Sequence, residues 1–204
     1  MIRITPRDEA IIEFLTEVKV ADTQTLCNIF FNGKLRASQL RLKALVDYKY
    51  IKAYRENVIS QNIYYVKRKP TQIKHSLILS QFIGRLHSLG IEVLKIKVPL
   101  KVGRVIADGF IAINYNDEPK IFLIEVENTK YLDTGKYIEL KQTREYKSKF
   151  PVMPSIICIS DKNNKSDDRL DVIFLKTDLS DIQNLIMKLW VKLLIFRSFI
   201  FIYL

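Results

Sequence analysis

Residues 121–129, IFLIEVENT, form an apolar, β-branched run that carries two acids, Glu125 and Glu127. Such a run reads as a β-strand. Side chains two apart in a strand share a face, so both carboxylates point the same way. Like charges held side by side repel unless solvent or a cation compensates. The strand is therefore either a solvent-facing edge, where alternating Glu is ordinary, or part of a site. Upstream, VIADGFIAIN at 105–114 reads as a second strand, and NYNDEP at 114–119 is a strong turn signal between the two. An antiparallel turn centred between Asn116 and Asp117 sets Asp108 across from Glu125. A turn centred between Asp117 and Glu118 sets it across from Glu127 instead. Either register gathers Asp108, Glu125 and Glu127 at one end of one sheet face. Three carboxylates so placed favour a hard cation held by oxygen ligands.

The elements around this hairpin predict an α+β sandwich built on one mixed sheet. A helix is expected over 75–88, with Leu77, Ile78, Phe82 and Leu86 apolar and a C-cap signal at Gly90. IEVLKIKVPL (91–100) reads as a strand, and a long polar helix is expected over 133–149. Strands SIICIS (155–160) and DVIFLK (171–176) follow. GKYIELK at 135–141 lacks the flanking glycines and the Ser/Thr of a phosphate-binding loop. DKNNKSDD at 161–168 lacks the spacing and terminal Glu of a calcium loop, and reads as an ordinary loop. Cys27 and Cys158 sit in apolar runs with neither zinc spacing nor a disulfide pattern, as buried reduced thiols do. Two histidines, His75 and His87, are too few for a His-based metal cluster.

The first seventy residues read differently. Thr5 then Pro6 is an N-cap with proline at the first helical position, and Asp8 makes the first turn acidic. Ile11, Ile12, Leu15 and Val18 give one apolar face. Asp22 or Thr23 caps a second short helix carrying Leu26, Ile29 and Phe30. FNGK turns into a third helix, LRASQLRLKALVDYKYI (35–51), whose core face is Leu42, Leu45 and Val46 and whose outward face holds Arg36, Gln39 and Lys43. KAYRENVISQNIYYVKR (52–68) reads as a two-stranded wing. Three helices and a hairpin is the order of a winged helix-turn-helix, whose third helix enters the major groove while the wing touches the backbone. Candidate contacts to double-stranded DNA are Lys34, Arg36, Gln39, Arg41 and Lys43 at the third helix, with Arg55, Lys67 and Arg68 on the wing. The whole chain of 204 residues carries a net charge of +11 and is 48% hydrophobic and 27% charged. This is a globular composition that leans towards a polyanionic partner. The charged N-terminal stretch MIRITPRDEAIIEFL does not read as an export signal, so a cytoplasmic location is expected.

Asp108 followed seventeen residues later by Glu-Val-Glu resembles the PD-(D/E)XK nuclease fold, in which an Asp and a Glu hold Mg²⁺ beside a Lys. That resemblance implies Asp108, Glu125 and Glu127 as metal ligands and catalytic residues. Glu127 stands where Lys is usual, and Lys136 or Lys141 on the next helix supplies the ammonium in this reading. Gln142 and Tyr146, at Q-x-x-x-Y spacing, are similar to the motif that supports the site in RecB-like members. The first helix of this half lacks the acid that many members carry. The arrangement over about residues 3–175 resembles the replication-relaxation family of plasmid and integrative-element proteins. The matching stretches are TPRDEAIIEFL, RLKALVDYKYI, YYVKRK, HSLILSQF, ADG and FLIEVENT, with Lys49 where the family usually shows Gly before the wing. The family implies a DNA-binding protein of replication and DNA relaxation, with replication or relaxosome proteins as possible partners. It leaves open a Mg²⁺-dependent nickase, and beside it a non-catalytic regulator or relaxosome accessory. The expected organisation is a winged helix-turn-helix at 1–70, a restriction-endonuclease-like domain at 71–180 and an apolar tail helix at 181–204. The tail, NLIMKLWVKLLIFRSFIFIYL (184–204), is interrupted by Lys188, Lys192 and Arg197, so it is expected to pack on its own domain or on a twin subunit rather than to span a membrane.

Overall fold

In the computed structural model, which describes residues 2–189, the first helix α1 (Pro6–Val18) begins where Thr5 and Pro6 predict. Thr5 and Asp8 form a reciprocal capping box, the Thr5 backbone N–H donating to Asp8 Oδ2 at 2.7 Å. A two-residue strand β1 (Ala21–Asp22) leads into α2 (Thr23–Phe30), α3 (Leu35–Asp47) and a hairpin of β2 (Lys52–Tyr54) and β3 (Ile63–Tyr65). Helix α4 (Ile73–Ser88) and strand β4 (Glu92–Lys97) follow. The hairpin is antiparallel, and β1 adds to its β3 edge, giving a three-stranded sheet in the order β1-β3-β2. The apolar faces of α1, α2 and α3 form the core of this unit, with Ile11, Leu15, Val18, Leu26, Leu42 and Leu45 all buried.

The compact units of the chain are Met1–Val98 and Pro99–Leu204, whereas the sequence reading sets the joint near residue 70 and gives α4 to the second domain. The physical reason lies between α2 and α4, which pack together. Asp22 caps α2 through Thr25 N–H at 2.7 Å, and its other oxygen accepts from Gln81 of α4 at 2.7 Å. Gly84 of α4 lies so close to α2 that a Cβ there would stand 3.0 Å from the Thr25 backbone. Helix α3 also departs from expectation, ending at Asp47 rather than running to 51. Lys49 takes φ 64, and Tyr50 N–H returns to the Leu45 carbonyl at 2.9 Å. That is a left-handed helix exit made by a lysine, where glycine is the cheaper residue.

In the second unit, β5 (Leu100–Val102) and β6 (Val105–Ala107) form a small hairpin, and β7 (Gly109–Tyr115) pairs antiparallel with β8 (Glu118–Val126). Helix α5 (Thr134–Thr143) crosses from β8 to β9 (Ser155–Ile159), which runs parallel to both β8 and β10 (Val172–Leu175). Four adjacent strands lie in the order β10-β9-β8-β7, a mixed sheet, and the molecule is α+β. One face of this sheet carries a core of Val102, Ala107, Phe110, Leu123, Tyr137, Leu140 and Ile156.

Two expectations change here. The run 105–114 is two strands rather than one, broken at Asp108, with β6 paired to β5 and β7 to β8. The long helix stops at Thr143, where Arg144 turns left-handed at φ 57, and a 3-10 turn (Glu145–Ser148) takes over. The break lets Glu145 reach back to the β5–β6 turn, accepting from Arg104 N–H at 3.0 Å. Gly103 in that turn, at φ 56, leaves no room for a side chain, since a Cβ would fall 2.0 Å from the Glu145 carboxylate. Residues 161–168 form a loop, as read. The tail beyond residue 189 lies outside the described residues. Among the described residues no helix is long and apolar enough to cross a membrane.

Candidate functional site

The β7–β8 ladder pairs Gly109 with Ile124, the first of the two registers read from the turn, so Asp108 lies opposite Glu125 one step beyond the last pair. Asp108 occupies the bend between β6 and β7, half-buried, and its Oδ2 accepts the Val126 N–H at 2.8 Å. Glu125 sits in β8, flanked by β7 and β9, and only 3% of it is exposed. It is not an edge residue, and the solvent-facing alternative fails for it. Glu127 follows at the strand's end, half-buried, its N–H bonded to the Ile159 carbonyl at 2.9 Å.

What compensates Glu125 comes from the first turn of α5. Asp133 caps this helix, which places Lys136 and Tyr137 side by side above β8. Lys136 Nζ stands 2.7 Å from Glu125 Oε1, and the fully buried Tyr137 donates its hydroxyl to the same oxygen. The Glu125 carboxyl is raised to about 7, chiefly by burial, with the Lys136 and Tyr137 bonds opposing the rise and the Asp108 charge adding to it. Tyr137 is driven far above the usual phenol range, first by burial and then by the Glu125 charge. Cys158 is the cross-strand partner of Glu125 on β9. Burial, then the charges of Glu127, Glu125 and Asp108, push its thiol up to about 12, so it stays protonated and unreactive.

Lys136 is thus the ammonium that reaches the acids, and Lys141 is not. Lys141 donates to the Arg169 carbonyl instead. Gln142 is exposed at the end of α5, while Tyr146, past the Arg144 break, packs against the core. The pair therefore does not share one helical face. Cys158 is the buried free thiol read from the sequence, whereas Tyr137 is a residue that sequence reasoning misses. The available signal was an aromatic next to a lysine one turn after a helix cap, which has the same appearance in any core helix. Beside Lys136, a cleft of about 270 Å³ lies between α5 and the β5–β6 hairpin, lined by Arg104, Ile106, Glu139 and Glu145 among others. Among the described residues no group of three or more His, Cys, Asp or Glu side chains is placed to hold a metal ion. With Oε1 of Glu125 occupied by an ammonium and a hydroxyl, the acids as arranged do not fit a divalent cation.

No protein-family model, curated protein or solved structure matches the chain.

In the first unit, the sequence-predicted DNA contacts divide by burial. Lys34, Arg36, Gln39 and Lys43 are exposed on α3 and its entry, as are Arg55, Lys67 and Arg68 on and after the hairpin. Lys43 makes only an exposed i,i+4 pair with Asp47 at 2.7 Å, which is weak and easily exchanged for another anion. Arg41 is different. Its guanidinium holds the buried Asp8 from two nitrogens and the Arg3 carbonyl at 2.8 Å. That bond, together with Thr5, holds the Asp8 carboxyl down at about 2. Between α3 and the hairpin runs an open groove of about 740 Å³, lined by Gln24, Gln39, Lys43, Arg55, Gln61 and Asn62 together with several apolar side chains.

Proposed function

We propose that this protein binds duplex DNA through a winged helix-turn-helix in its first unit, acting in replication or relaxation of a plasmid or integrative element. Its second unit is read as a nuclease-like domain that serves as a non-catalytic accessory. The observation that carries the DNA reading is segregation of charge. Residues 34–69 hold ten Lys and Arg against two acids, Asp47 and Glu56, a local excess of +8 within a chain of +11. The exposed face of α3 belongs to that stretch. A duplex releases counterions from such a surface, and its affinity then falls steeply with salt. The accessory reading rests on Lys136 and Tyr137 filling the Glu125 oxygen that a cation would need.

The test is duplex binding across a salt series. Replacing Arg36 and Lys43 with Ala is expected to reduce the log–log salt slope by about two, one per lost phosphate contact. An unchanged slope removes α3 from the interface. Mg²⁺-dependent nicking remains the second reading, favoured by the register that sets Asp108 opposite Glu125. It requires Lys136 to leave Glu125, and incubation of supercoiled plasmid with Mg²⁺ decides it.

A further inference from the structure

The hairpin tip holds a feature that phosphate binding does not use. Val58 is 90% exposed and Ile59 97% exposed. Two consecutive β-branched side chains projecting almost fully into water form an apolar prong, the most exposed large hydrophobics among the described residues, beside a basic surface that also carries Leu35 and Leu40. The turn that carries the prong is hydrogen-bonded through Asn57. Asn57 Oδ1 accepts from the Ile59 and Ser60 N–H groups at 3.1 and 2.8 Å and from the Ser60 hydroxyl at 2.8 Å, an Asx-type turn that fixes the backbone without any contact to the two side chains. Val58 and Ile59 also form one lip of the α3–hairpin groove.

Three occupants fit an exposed apolar tip: a second copy of the chain, an anionic lipid surface, or nucleic acid. A second copy would bring another +8 stretch against this one, and like charges oppose that. A lipid surface satisfies the charge and the apolar tip but has no use for Gln24, Gln39, Gln61 and Asn62, the amides that line the groove. Side-chain amides pair with base edges. We propose that Val58 and Ile59 act as an apolar wedge that enters the minor groove and unstacks a base step, bending the duplex around the basic surface. The inference rests on the DNA-binding reading above. Unstacking a step and kinking the duplex is what inserted apolar side chains do, and flexible pyrimidine–purine steps yield most readily.

The experiment uses the full chain, the variant Val58→Ser/Ile59→Ser, and ligase-mediated closure of a DNA fragment of about 120 bp, shorter than the ~150 bp persistence length. Both positions are almost wholly exposed, so the variant is expected to keep the wild-type melting temperature. Wild-type protein is expected to raise circle yield by about tenfold, and the variant to return it to that of free DNA. The variant's salt slope is expected to stay unchanged, because no cation is lost. Wild-type binding without added closure, or equal closure by both proteins, overturns the wedge and leaves DNA binding standing. Failure of the wild type to bind duplex at low salt overturns the DNA reading itself. Loss of a dimer in the variant by sedimentation, with bending intact, overturns the wedge in favour of self-association. Variant-sensitive binding to anionic phosphatidylserine vesicles, with bending intact, overturns it in favour of a membrane.

Discussion

Each unit buries one carboxylate against a cation from another element, and the two pairs behave in opposite ways. Asp8 is fully buried in the first unit and Glu125 is 3% exposed in the second. Asp8 meets a guanidinium with two nitrogens engaged, a capping threonine and the positive end of α1. These outweigh the cost of burial, and its carboxyl is held at about 2. Glu125 meets an ammonium at a single oxygen and a phenol, with Asp108 adding like charge, and burial wins. The number of donors reaching a buried acid, and the absence of a second acid, separate a structural clamp from a poised group.

The largest effect is expected at the clamp. Replacing Asp8 with Ala strands Arg41 and removes the N3 half of the α1 capping box, costing about 3–5 kcal/mol of unfolding free energy by urea titration. Because the folded-state value lies below the ordinary 3.8, the clamp's contribution is fully present above pH 4 and drains as pH falls towards 2. A small loss, under about 1 kcal/mol, would mean that the pair is a surface ion pair.

Glu125 is expected to respond with the opposite sign. Its folded-state value lies above the ordinary 4.5, so the folded protein binds the proton more tightly than the unfolded chain. Stability from this group is therefore greatest below pH 4.5 and falls as pH rises to 7. Glu125→Gln removes that loss, stabilising the protein by up to about 3 kcal/mol at pH 8 and by almost nothing at pH 4.5. Thermal denaturation at both values checks it, and destabilisation at pH 8 would show that the Lys136 bond outweighs burial.

A third substitution turns one pair into a test of the other reading. Lys136→Met removes the ammonium from Glu125. Mg²⁺ at about ten times its dissociation constant is then expected to raise stability by about 1.4 kcal/mol in the variant and not in the wild type. Equal Mg²⁺ stabilisation of both proteins would favour the nickase reading. The smallest effect is at the helix exit, where Lys49→Gly is expected to stabilise by about 0.5–1 kcal/mol through relief of the left-handed backbone, read as a shift in urea midpoint.

Patterns confined to neighbours along the chain were legible. Thr5-Pro6 starts its helix as read, Asp22 proves to be the cap of the two candidates Asp22 and Thr23, and the turn centred between Asn116 and Asp117 is one of the two registers the sequence offered. Lys136 was one of two ammonium candidates, and nothing in the spacing could choose between them. The choice depends on which turn of α5 overlies the end of β8, a matter of packing. The same limit hid Arg41, which reads as a surface base on a helix but points inward because Asp8, thirty-three residues earlier, is buried beneath it. Local chemistry along the chain therefore marked most helix starts and narrowed the hairpin to two registers, and the ladder chose the one that sets Asp108 opposite Glu125. Whether those acids are open or closed, and whether an arginine faces solvent or a buried carboxylate, was settled only by docking helices onto sheets, because desolvation depends on every neighbour in space and not on those in sequence.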